Sequence, residues 1–165
     1  MTTEITDVTD VEPVEIPGQW GFNYTYFAGG AASRFFAELR ENQRVVGTRC
    51  PSCSRVLVPA RSFCDACFER TTDWVPVSSV GTLETFTIIT AAFPGLPEPP
   101  VVLAYVTLDG ADTALVNVVT GIDCTDIDAA AARLMKQPRV RLVFADQPMG
   151  RITDFTFEIV DGDDA

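Results

Sequence analysis

Four of the five cysteines fall in two short pairs, Cys50-Pro-Ser-Cys53 and Cys64-Asp-Ala-Cys67, separated by ten residues, and no other feature of the sequence restricts the fold as tightly. Each pair can curl into a tight turn that presents two thiolates. Ten residues are enough to reverse the chain so that both turns meet around one tetrahedral ion. Structural disulfides account poorly for the pattern, because the cysteine count is odd and the spacing is that of a metal site. The reading is structural zinc held by Cys50, Cys53, Cys64 and Cys67. A rubredoxin-type iron centre and a redox dithiol are the alternatives, since four thiolates do not choose the metal by themselves. A four-cysteine site is closed to substrate, so its expected task is to fold a segment of about 25 residues that cannot build its own core. Loss of metal is accordingly expected to melt this ribbon and leave the remainder partly folded.

Charge narrows the chemistry further. The chain has 12 Lys and Arg against 23 Asp and Glu, and no His. Without imidazole, a Ser/His/Asp triad, a Cys/His pair and His-liganded zinc are all excluded. Lys136 is the only lysine. Residues 71–132 carry eight acids and no Lys or Arg, a poor surface for phosphates, whereas residues 133–151 carry five bases and one acid. Nucleic acid is therefore disfavoured as a partner. Neither a signal peptide nor an apolar run long enough to cross a bilayer is visible, and the expectation is a cytoplasmic protein without membrane contact.

Hydrophobic patterning divides the rest. Residues 1–19 and 161–165 read as acidic tails, 20–44 as an aromatic arm and helix, 45–73 as the ribbon and 74–160 as a β-rich domain. Trp20, Phe22, Tyr24 and Tyr26 alternate as one face of an extended arm, which either folds back on its own chain or is buried in another protein. A helix follows over Ala31–Glu41, with Phe35 or Phe36 and Leu39 on its apolar stripe. Strands are expected near Val75–Val77, Leu83–Ile89, Val101–Leu108, Thr113–Val119, Val140–Phe144 and Ile152–Val160, with Gly81 as a bend or bulge and Asp109-Gly110 opening a hairpin turn. Thr125 reads as the cap of a helix carrying Ile127, Ala131 and Leu134, interposed before the last two strands. This order fits a five-stranded OB-type barrel with one inserted helix, a small sandwich being the competitor. Cys124 lacks an activating group and reads as an incidental free cysteine.

The stretches RFFAELRENQRVVGTRCPSC, VPARSFCDAC, VGTLETFTII, PPVVLAYVTLDG and ALVNVVTG together resemble the zinc-ribbon plus OB-fold proteins that accompany thiolases and related acyl-CoA enzymes. The likeness spans about residues 31–160. It implies a mostly β chain: an N-terminal helical or extended arm, a rubredoxin-like zinc ribbon on the same four cysteines, then the barrel, whose start falls on Gly81, Phe86 and Thr87. It also implies a noncatalytic subunit in a hetero-oligomer with a thiolase-fold enzyme, supporting assembly and the substrate channel, with a CoA thioester as ligand of the complex. A benzoylsuccinyl-CoA type of thiolase is one such partner. An acyl-CoA retro-aldolase of steroid side-chain degradation is the alternative. A nucleic-acid-binding ribbon and barrel is a third class. Trp20, Phe22, Tyr24, Tyr26, Phe35, Phe36 and Leu39 are then the candidates for partner binding. The chain departs from relatives in having Thr113-Ala114 where a basic residue is common, and in lacking a glycine within KQPRVRL.

Overall fold

The structure is a computed structural model, and it describes residue 21 and residues 25–160. Trp20, Phe22 and Tyr24 and both acidic tails lie outside the described residues.

Helix α1 (Gly29–Asn42) begins at a glycine with φ 81 and ends on Gln43, whose left-handed φ of 45 turns the chain. Its inner face buries Phe35 (1% exposed) and Leu39 (0%) in the main core, and the Phe35 ring meets the half-buried Phe36 edge to face at 5.5 Å. Phe35 and Leu39 are thus core residues of this chain and not partner anchors. Helical periodicity marks an apolar face without saying which molecule covers it. Glu38 shares that face and stays ionised. Arg44 Nε at 2.6 Å and Asn42 Nδ2 at 2.7 Å donate to its carboxylate and hold its pKa below the ordinary value. Tyr26 and Phe27, preceding the helix, are 76% and 91% exposed.

A three-stranded antiparallel sheet of order β2-β1-β3 follows, from β1 (Val46–Arg49), β2 (Val56–Leu57) and β3 (Asp73–Pro76). Strands β4 (Val80–Ile89), β5 (Val101–Leu108), β6 (Leu115–Thr120), β7 (Arg139–Phe144) and β8 (Phe155–Ile159) close a barrel in the order β4-β5-β6-β8-β7. Helix α2 (Ile127–Leu134) lies between β6 and β7. Closure needs one parallel pair, β6 with β8, in register Val119 to Phe157, and short pairing of β4 with β7 from Val80 to Thr82. These are the connections of an OB barrel, and they remove the sandwich alternative.

Local chemistry explains where the chain departs from expectation. Gly81 sits in regular pairing, and the bulge of β4 falls between Leu83 and Thr85. Glycine is needed at 81 because a Cβ there would run into the Thr107 carbonyl and lie 2.7 Å from Leu108 Cα. Asp126, not Thr125, caps α2 through Oδ1, which accepts the Ala129 N–H at 3.0 Å; Thr125 is engaged by Asp123. Residues Ile152–Asp154 form a 3-10 turn ahead of β8. There the Asp154 carboxylate accepts the N–H groups of Met149, Gly150 and Arg151 at 2.9, 2.6 and 2.8 Å, and the loop it gathers presses Gly150 against the Phe36 carbonyl of α1.

The ribbon and the barrel share one core. Val45, Val46, Val56 and Val58 pack in a single buried cluster with Leu83, Val106, Leu108 and Leu115. The seam is also hydrogen-bonded: Val56 N–H donates to Asp112 Oδ2 at 2.8 Å, Asp112 N–H to the Val56 carbonyl at 2.9 Å, and Val58 N–H to Thr113 Oγ1 at 2.6 Å. Thr113 Oγ1 in turn donates to the Val58 carbonyl at 2.8 Å.

Two outcomes follow from this packing. Gly81→Ala is expected to cost about 1–3 kcal/mol, read as a lower denaturation midpoint, because the added methyl meets backbone that cannot yield. Burial pushes the Asp154 carboxyl up, but its backbone N–H partners outweigh burial and hold the pKa below the ordinary value. A group depressed on folding stabilises above its unfolded pKa of about 3.9 and loses that contribution as pH falls through the folded value. Asp154→Asn should therefore be destabilised by about 2 kcal/mol at pH 7, with the gap to the parent chain narrowing below about pH 4 in urea titrations.

Candidate metal centre

Each Cys-x-x-Cys forms the same knuckle. In the first, Ser54 N–H donates to the Cys50 carbonyl at 3.0 Å and Cys50 N–H to the Arg55 carbonyl at 2.9 Å. In the second, Phe68 N–H donates to the Cys64 carbonyl at 2.9 Å and Cys64 N–H to the Glu69 carbonyl at 2.8 Å. The residue after each pair, Ser54 with φ 62 and Phe68 with φ 57, takes the left-handed conformation that lets the turn close. Strand β1 runs into Cys50 and β2 leaves the first knuckle, so the sheet fixes both ends of that turn.

The four sulfurs converge. The Sγ atoms of Cys50, Cys53, Cys64 and Cys67 lie within 4.8 Å of one another, and Cys53 Sγ is 3.8 Å from Cys64 Sγ. A tetrahedral ion with bonds of about 2.3 Å to sulfur requires edges of about 3.8 Å, whereas a disulfide requires about 2 Å. Cys50 and Cys64 are buried, Cys53 is exposed and Cys67 is half-buried. The N–H groups of Cys67 and Ala66 aim at Cys64 Sγ and lower its pKa to about 7. The hydrogen bond with Cys53, burial and the adjoining sulfurs push Cys67 up to about 12. Sulfurs crowded in this way repel one another as thiolates until a cation sits between them. The donor set thus fits a structural zinc ion, with all four positions taken by protein.

Three arginines around the knuckles are engaged locally. Arg55 and Arg61 reach Asp65 Oδ1 at 3.3 and 3.6 Å, and Arg49 reaches Asp73 at 3.6 Å. Arg139 forms a two-pronged pair with Asp109, and Arg141 pairs with Glu158 at 2.9 Å. Two of the five bases expected to meet phosphate are therefore committed to acids of the barrel.

Cys124 lies apart from the cluster, half-buried against the barrel, with burial and the neighbouring Asp123 raising its thiol pKa. Of the partner candidates, Tyr26 is exposed and Phe36 half-buried, Phe35 and Leu39 are internal, and Trp20, Phe22 and Tyr24 fall outside the described residues. Sequence reasoning missed the seam at Asp112 and Thr113.

Two family models match contiguous segments: "ChsH2, rubredoxin-like zinc ribbon domain" over residues 37–73, and "ChsH2, C-terminal OB-fold domain" over residues 74–145. The chain belongs to the ChsH2 zinc-ribbon and OB-fold family. Among curated proteins none matches it. The chain is also similar to solved structures. One is a DUF35-family protein of unknown function from Sulfolobus solfataricus, at 21% identity and TM-score 0.57, covering 80% of this chain and 87% of that one. Another is described as an "Ltp2-ChsH2(DUF35) aldolase", at 21% identity and TM-score 0.56, covering 81% of this chain and 98% of that one. At this identity the two structures speak for the fold, and they extend the ChsH2-type architecture across both the ribbon and the barrel.

The shared core changes what metal loss should do to a ChsH2-type chain. Purified protein is expected to hold about one zinc per chain by elemental analysis. Cys64→Ser should release it and, because Val56 and Val58 belong to the common core, destabilise the barrel as well, by about 3 kcal/mol or a fall of roughly 10 °C in melting temperature. Near-ultraviolet circular dichroism of the barrel aromatics should follow zinc content.

Proposed function

We propose that this chain is a noncatalytic subunit of an enzyme that acts on acyl-CoA thioesters in the cytoplasm, and that its partner is a retro-aldolase of the kind used in steroid side-chain degradation. The observation that carries the reading is the ribbon-then-barrel architecture shared over 98% of the chain in the structure described as an Ltp2-ChsH2 aldolase. The thiolase partner read first from the sequence has the same architectural support but no such counterpart in a named assembly, and the aldolase is preferred for that reason.

The chain's own chemistry supports a supporting role. The sequence offers no imidazole, the metal position is closed by four cysteines, and the fifth cysteine is held protonated by burial. Retro-aldol cleavage needs a base for a hydroxyl proton and a means of stabilising the enolate that leaves. On this reading the partner supplies both, and this chain supplies an assembly surface and part of the substrate channel.

A nucleic-acid role is less well supported. OB barrels bind oligonucleotides across the outer face of their second and third strands, here β5 and β6. That face carries Leu103, Tyr105, Val116 and Val118, and no Lys or Arg occurs between residues 71 and 132.

Coexpression with an acyl-CoA retro-aldolase, and in parallel with a thiolase, tests the proposal by size-exclusion chromatography and turnover. Co-elution with the aldolase and a rise in its cleavage rate of about tenfold or more are expected, with no turnover by the chain alone. Co-elution with the thiolase alone would restore the first reading. Assembly with neither, or activity of the isolated chain, would overturn the proposal.

A further inference from the structure

Among the described residues a cavity stands beside one end of the barrel. With a volume of about 710 Å³, it opens between the proline-rich connector that joins β4 to β5, the end of β6 and the segment leading to α2. Its floor is the cross-strand pair Val102 and Val119, which are 2% and 4% exposed and belong to the barrel core. Val118, Ile122 and Cys124 form its wall. Among the described residues lining it, the charged ones are two acids, Glu98 and Asp123, and none is Lys or Arg. The size lies within the range of small-molecule sites, about 300–1,000 Å³.

The walls are built to keep this shape. Pro97, Pro99 and Pro100 restrict the connector, and β5 and β6 are paired from Val102 to Val106. Asp123 is held as an anion at the rim by the Thr125 N–H at 2.9 Å and the Thr125 hydroxyl at 2.8 Å, which lower its pKa. Cys124 beside it adds no charge, since burial raises its thiol pKa. An anionic group entering here would lose water and meet two carboxylates, with no cation among the described residues that line the cavity. An uncharged apolar body would lose only unfavourable hydration.

We propose that this cavity receives the uncharged, apolar body of the acyl group whose thioester the partner enzyme acts on, while the CoA phosphates remain outside it. The assignment to an acyl group rests on the function proposed above, whereas the preference for uncharged apolar ligands rests on the cavity alone. Cys124 takes no part in chemistry. It marks the wall and so reports occupancy.

The zinc-loaded full chain can be tested with two probes that share a ring system and differ in charge, 2-acetylnaphthalene and 2-naphthoate. Calorimetry should show the ketone binding about tenfold or more tightly than the carboxylate, with free CoA failing to displace it. Saturating ketone should slow alkylation of Cys124 by N-ethylmaleimide about fivefold, followed by peptide mass spectrometry. Val118→Trp should fill the cavity and abolish ketone binding without loss of zinc. Glu98→Lys, on the exposed rim, should leave ketone affinity unchanged and raise that of naphthoate. The second variant preserves the test if the first fails to fold. Equal affinity for the two probes, absence of ketone binding, or an unprotected Cys124 at saturation would overturn the site. Should the probes behave as expected while the chain assembles with no acyl-CoA enzyme, the subunit reading falls and with it the acyl assignment. Assembly with the enzyme but no charge preference in the cavity overturns the site and leaves that reading standing.

Discussion

The shortest strand bears the greatest dependence. β2 has two residues, Val56 and Leu57, too few to persist on their own pairing with β1. One side is held by the first metal knuckle through the Cys50 N–H bond to the Arg55 carbonyl, and the other by Asp112 and Thr113 in the turn between β5 and β6. Below, Val56 and Val58 enter the common core. A strand fixed from three directions cannot loosen in one without affecting the others. Metal binding and barrel packing are therefore one cooperative problem, although they draw on segments more than fifty residues apart in sequence.

This seam gives Thr113 a task that a charged side chain could not perform. The Thr113 hydroxyl both accepts from the Val58 N–H and donates to its carbonyl. A lysine or arginine has donors but no acceptor and could not close that pair. The uncharged threonine thus closes a tight joint between ribbon and barrel. The bidentate pair of Arg139 with Asp109, at the opposite side of the same turn, uses up a base in holding the barrel.

How much of this was legible in the sequence depends on the range over which each feature is encoded. Cysteine spacing is local and fixes the four ligands outright. The alternation through β5, β6 and β8 is local too, and the OB order follows from those strands with α2 between them. Asp126 as the cap of α2, and the bulge at Glu84 instead of Gly81, differ from expectation by a few residues because neighbouring groups compete for the same turn chemistry. Phe35 and Leu39 expose a deeper limit. A helical stripe is the same whether it packs on its own chain or on another protein, and only the three-dimensional arrangement shows that the core common to ribbon and barrel takes it. Asp112 and Thr113 were not legible as contacts of Val56 and Val58, because nothing in either segment refers to the other.

The distribution of charge carries the same logic to the surface. Eight acids without a base between residues 71 and 132 would, on a uniformly polar barrel, serve solubility alone. Here two of them, Glu98 and Asp123, stand at the rim of the cavity beside the connector, while Asp73 and Asp109 pair with arginines, Asp112 joins ribbon to barrel and Asp126 caps α2. Acids around an apolar surface do not strengthen its attraction for uncharged groups, but they raise the cost of admitting an anion. A thioester of CoA combines both kinds of group in one molecule, with a highly charged nucleotide at one end and the acyl body at the other. On the function proposed above, the cavity with Glu98 and Asp123 at its rim would meet the acyl end of such a ligand and leave the phosphate end outside it.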